Sequence, residues 1–80
     1  MPVHTMPSPL PGTFYRRPSP EMLPFKEVGD LVAQGDTIGL IEVMKTFVLV
    51  TAEQSGTITV FHVENDEAIM AGQPLVDIET

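Results

Sequence analysis

The sequence predicts an all-β domain, a flattened β-barrel or sandwich of two four-stranded antiparallel sheets, a barrel-sandwich hybrid with an approximate two-fold axis. Two observations predict it. Valine, isoleucine, threonine and phenylalanine gather in short runs broken by Gly, Pro, Asp and Asn, with almost no helix signal. The chain also repeats itself: a shift of 37 places lays residues 26–42 on residues 63–79, matching Gly35 with Gly72, Ile38 with Leu75, Ile41 with Ile78 and Val32 with Ile69.

Taken in order, the weaker strand candidates are 3–6 and 12–16, and the clear ones are 37–42, 46–51, 56–63 and 75–79. A second match, Gly12-Thr13 with Gly56-Thr57, needs a shift of 44, so the first half carries 44 − 37 = 7 extra residues between Gly12 and Gly35. Those extras fall in Arg16-Arg17-Pro18-Ser19-Pro20-Glu21-Met22-Leu23-Pro24, where three prolines remove backbone donors and rule out a central strand. The segment reads as a tolerated surface loop or as a stiff projection that makes contacts at low entropic cost. Two such halves imply a pseudo-two-fold body in which each half supplies one face of a shared core.

Eighty residues suit one domain, residues 1–80, and with no cysteine the apolar core must carry its stability. A net charge of −7, from 11 acidic against four basic residues, argues against nucleic acid and anionic membranes as partners. No apolar run approaches the roughly 20 residues of a membrane span, and Met1-Pro2-Val3-His4 is not the start of a signal peptide, so a cytoplasmic protein is expected. Catalytic equipment is thin. His4 and His62 are the only imidazoles and no spacing joins them to a serine or a metal set; His62 is expected in a strand and His4 near a flexible end.

Lys45 stands out among the two lysines, Lys26 and Lys45. Val43-Met44-Lys45-Thr46 separates two β-prone runs and must form a tight hairpin at the junction of the repeats, yet it lacks the Asn-Gly or Asp-Gly that favours such a turn. On spacing alone a solvated lysine is the favoured explanation, because a single Lys-containing turn is a weak motif.

Longer motifs cover nearly the whole chain: residues 8–16 (Ser-Pro-Leu-Pro-Gly-Thr-Phe-Tyr-Arg), Pro18-Ser19-Pro20, Val28-Gly29-Asp30, Gly35-Asp36-Thr37, Glu42-Val43-Met44-Lys45, Ser55-Gly56-Thr57 and Gly72-Gln73-Pro74-Leu75. With them the sequence resembles the biotinyl domain of the biotin carboxyl carrier protein family, in the form found in bacterial and plastid acetyl-CoA carboxylase. The resemblance implies biotin on Lys45, with Met44 read by a biotin protein ligase and Val43 and Thr46 flanking it. It equates residues of about 16–24 with the family's thumb, so that Arg17, Pro18, Ser19 and Pro20 lie near the cofactor. Three positions depart from the usual pattern: Thr46 stands where a second methionine is common, Val43 where alanine is frequent and Arg17 where threonine is usual.

A non-catalytic carrier follows from the resemblance, one that takes carboxylate from a biotin carboxylase to a carboxyltransferase in the route to malonyl-CoA and fatty acids. The location would be the cytoplasm, or the plastid stroma in a plant. The biotinyl domain of another acyl-CoA- or pyruvate-type carboxylase, a lipoyl domain, or an unmodified hammerhead interaction module are the alternatives. Lipoyl domains commonly carry Asp-Lys-Ala at the turn and lack the Pro-rich segment, which sets them apart from this chain.

Overall fold

The computed structural model describes residues 2–80; the expected domain boundary at residue 1 lies outside them. Eight strands form: β1 (Val3–Pro7), β2 (Gly12–Tyr15), β3 (Leu31–Val32), β4 (Thr37–Val43), β5 (Thr46–Thr51), β6 (Gly56–Phe61), β7 (Glu67–Ile69) and β8 (Pro74–Glu79). They build two antiparallel four-stranded sheets, ordered β1-β8-β6-β3 and β5-β4-β2-β7. Among the described residues there is no helix, and hence none long and apolar enough to cross a membrane.

Alternation along the strands makes the core. Phe14, Ile38, Ile41, Ile58, Leu75, Val76 and Ile78 are fully buried between the sheets; alternation is broken at Ile38-Gly39 and Leu75-Val76, where the pairing of β4 with β5 and of β8 with β1 is irregular. With no cross-link available, this apolar layer is the main favourable term in folding.

Renaming each strand by its equivalent in the other repeat (β1 with β5, β2 with β6, β3 with β7, β4 with β8) turns one sheet order into the other. The symmetry extends to single bonds. Gly35 N donates to Ala52 O and Gly72 N to Ser8 O, both at 2.8 Å, and the same irregularity recurs where β4 meets β5 and where β1 meets β8. A Cβ at Gly12 would lie 2.8 Å from Ile41 Cγ2, and one at Gly56 would lie 2.8 Å from Ile78 Cγ2. Both glycines are therefore there to let β2 and β6 cross close to β4 and β8.

One expectation is corrected. The halves do not each supply a face; each sheet takes two strands from each half. A half on its own pairs only two of its strands, β2 with β4 or β6 with β8, and would leave β1 and β3, or β5 and β7, without partners. Exchanging the outer strands satisfies the backbone groups that separate halves would leave open.

Smaller corrections have local causes. β2 ends at Tyr15 because the Arg16 amide turns to Asn65 Oδ1 at 2.8 Å. β6 ends at Phe61, so His62 lies just beyond the strand, its amide on Leu75 O. His4 sits within β1, its Nε2 2.7 Å from Glu53 Oε1, rather than near a loose end. The short strands β3 and β7 had no run of their own in the sequence reading.

On the outer face of the first sheet, Asp77 Oδ1 accepts from Thr5 Oγ1 at 2.7 Å and meets His62 Nε2 at 2.8 Å. The His62 and Thr5 contacts hold the Asp77 carboxyl below its usual 3.8. A lowered carboxyl pKa stabilises the fold above the unfolded value, and that share is lost as pH falls through the folded value. The thermal midpoint should accordingly drop as pH passes below 3.8, and Asp77→Asn should flatten that part of a melting-temperature against pH curve.

Candidate functional site

β4 and β5 are joined by two residues, Met44 and Lys45, with Val43 paired to Thr46. Both turn residues have positive φ, 49° and 66°, the sign required by a type I′ turn that matches the right-handed twist of the strands. Neither has the short polar side chain or missing Cβ that makes this conformation easy, so the ribbon holds its own turn under strain. Met44→Asn should relieve part of it, raising the unfolding free energy by about 0.5–1 kcal/mol in a denaturant titration.

The consequence is a projecting primary amine. Met44 is 93% exposed and Lys45 is exposed beside it, with no salt bridge or side-chain hydrogen bond made by Lys45 among the described residues. Lys26, the other lysine, lies half-buried with its Nζ 3.7 Å from Asp36 Oδ2. Of the two lysine amines, that of Lys45 is the one offered without a partner at the surface among the described residues.

Residues 16–24 contain no strand and close on themselves: Phe25 N donates to Arg16 O at 2.9 Å and Met22 N to Ser19 O at 3.1 Å. At the start of the segment the Arg16 guanidinium lies over the Phe61 ring, its central carbon 4.0 Å from the ring's centre. Between this loop and the outer face of the second sheet runs a cleft of about 330 Å³, in which Arg17, Pro18, Ser19 and Pro20 face Tyr15, Leu40 and Phe47. The structure thereby brings the four loop residues together with the strand that follows Lys45. Val43, Met44 and Lys45 themselves are not among the cleft's lining, nor is Thr46.

Tyr15 joins the parts and was not singled out by the sequence reading. Its hydroxyl donates to Glu42 Oε1 at 3.0 Å, three residues before Lys45, and its ring lies 6.3 Å from that of Phe47, two residues after it. The hydrogen bond to Glu42, then partial burial, then the charges of Glu42 and Asp66 push the phenol above its usual 10.0. Both strands of the lysine hairpin are braced from β2. Only the Glu42 position, equivalent to Glu79 in the repeat, hinted at this.

These features fit a covalently attached group. The amine is free at the tip, and the cleft under the loop is mostly apolar, with the polar side chains of Arg17 and Ser19 among its loop-side residues. A bicyclic urea with an apolar stem suits such a lining. Among the described residues no group of His, Asp and Glu is arranged to hold a metal ion.

Comparison with known proteins defines the class. The family model described as "Biotin-requiring enzyme" matches residues 4–78, and the chain belongs to that family. Among its relatives are proteins named biotin carboxyl carrier protein of acetyl-CoA carboxylase. That of Pseudomonas aeruginosa is 45% identical over 71 residues, 89% of this chain and 46% of the relative. That of a Nostoc species is 43% identical over 72 residues, 90% of this chain and 40% of the relative. A chloroplastic form from Arabidopsis thaliana is 43% identical over 68 residues, 85% of this chain and 27% of the relative. The chain thus spans less than half the length of these relatives. Among solved structures, the urea carboxylase of Kluyveromyces lactis contains a similar domain, with a TM-score of 0.79 and 28% identity over 99% of this chain and 6% of that one.

Proposed function

We propose that this chain is a biotin carrier domain spanning residues 1–80, with Lys45 as the attachment site and residues 16–24 as a thumb beside the cofactor. The observation that carries this reading is the position of Lys45: a free amine on a strained two-residue turn, in a member of a biotin-requiring family. The acceptor role needs little from the domain beyond presentation. A biotin protein ligase supplies biotinyl-adenylate and a base, because an alkylamine in water is protonated at neutral pH. The Lys45 nitrogen then bonds to the activated carbonyl, the bond from that carbon to the phosphate oxygen breaks, AMP leaves and the amine's proton passes to the base.

Once attached, biotin supplies a ureido nitrogen that takes up and gives back a carboxyl group. The chain's residues do the positioning. Tyr15 and Glu42 steady the root of the arm, while Arg17, Pro18, Ser19 and Pro20 border a cleft for its head. Rigidity at the root and freedom at the tip let one site serve two enzymes, a biotin carboxylase and a carboxyltransferase, at raised local concentration. The names of the relatives support acetyl-CoA as the acyl acceptor. No acid or base work falls to the domain itself, which makes it a carrier and not a catalyst.

Co-expression with a biotin protein ligase tests the reading. The intact mass is expected to rise by one biotinyl group, mapped by peptide fragmentation to Lys45. Formal charge should move from −7 to −8 and show as faster migration in a native gel. A lipoyl-sized increase, or none, would discard it.

A further inference from the structure

The two-fold repeat gives the molecule an internal control. β4 pairs with β5 as β8 pairs with β1, so Leu40 opposite Leu49 corresponds to Asp77 opposite Thr5. Position for position the strand pairing is the same, and both pairs lie on the outer face of their sheets. On the first sheet this place is polar and internally bonded, Thr5 to Asp77 to His62. On the second it is apolar, with Leu49 60% exposed; the adjacent Phe47, 58% exposed, corresponds to Val3, itself 52% exposed, so the contrast between the sheets is carried by Leu49.

Folding does not require that difference, since the first sheet shows the same site satisfied by threonine and aspartate. The thumb cleft accounts for Leu40 and for part of Phe47, which line it, but not for Leu49, which lies outside its lining. β5 is moreover the edge of its sheet, uncharged along all six residues, and begins one residue after Lys45. Its counterpart β1 carries prolines at its border, Pro2 before it and Pro7 at its end, which blunt that edge.

We propose that the outer face of β5, centred on Leu49 and Phe47, is the docking surface for the enzyme that modifies Lys45, a step that rests on the carrier reading above. A lysine beside a methionine is too small a signal to pick one amine in a cell, so the selecting enzyme must read folded surface next to it. Leu49 and Phe47 are the large exposed apolar groups on the same strand. The matching surface on the enzyme is apolar with at least one Lys or Arg, because Glu42 stands across from Phe47 and the chain carries a net charge of −7.

The test uses the whole chain and a purified biotin protein ligase with ATP and biotin. Leu49→Thr installs the residue of the equivalent place, and Leu49→Asp adds a charge; at this exposed position neither should lower the melting temperature by more than a few degrees. Each is expected to raise KM for the domain, by about tenfold for threonine and more for aspartate, with kcat within about twofold of wild type. Thr5→Leu on the opposite face should leave KM unchanged. Unchanged KM in both Leu49 variants, or a loss confined to kcat, would overturn the docking surface while leaving the carrier reading intact. Failure of the wild-type chain to accept biotin would instead sink the carrier reading.

Discussion

Replacing Lys45 by arginine is expected to abolish biotin incorporation, with streptavidin binding at background and no mass increase after co-expression with a ligase. Arginine keeps the positive charge and most of the stem, so the surface that an enzyme meets changes little. What it loses is the chemistry: a guanidinium does not give up its proton in a protein and offers no lone pair to an activated carbonyl. The fold should survive, because Lys45 is exposed and makes no side-chain bond that folding needs. An unchanged thermal midpoint together with zero labelling is the expected pair of results. Labelling that persists would move the acceptor to Lys26, the other lysine in the chain.

The largest loss of stability should come from Phe14→Ala, about 3–5 kcal/mol for an aromatic side chain deleted from a closed interior. Phe14 has no exposed surface, and its ring occupies the space above Gly39, where a Cβ would come within 2.5 Å of Phe14 Cζ. Glycine at position 39 is there to admit the ring, so nothing nearby can swell to refill the hole. Small domains are typically stable by roughly 5–15 kcal/mol, which makes this one substitution a large fraction of the total. A guanidinium titration measures it, and a change under about 1 kcal/mol would show that the core closes over the gap.

Much of this architecture could be read from the sequence because burial imposes alternation. Thr46–Thr51 emerged with its observed limits, and 37–42 and 75–79 each fell one residue short, since runs of β-branched residues bounded by turn formers admit few other readings. The repeat was legible for a related reason. Gly12 and Gly56 need close approach to a neighbouring strand, and Gly35 and Gly72 need positive φ, so each repeat had to keep them.

Other parts leave no local trace. β3 and β7 are two and three residues long, too short for a pattern, and exist because β6 and β2 need partners. The interleaving of the halves is a matter of which edge meets which, and side-chain alternation is indifferent to it. At the candidate site, the turn and its lysine could be located from the flanking runs. The Tyr15 to Glu42 bond joins residues 27 apart in the chain, and the apolar character of the β5 face gains meaning only beside its polar counterpart on the other sheet.

The first and last described residues meet as well: Thr80 N donates to Pro2 O at 3.0 Å. Residues 80 and 2 are the equivalents of Val43 and Thr46, since 80 − 37 = 43 and 2 + 44 = 46, so the place where the ends come together is the twin of the lysine turn. Any tether at either end would tug on β1 and β8, which belong to one sheet, while the cargo hangs from β4 and β5, which belong to the other. On the proposed carrier reading, a pull on such a leash is borne by strands that do not shape the hook.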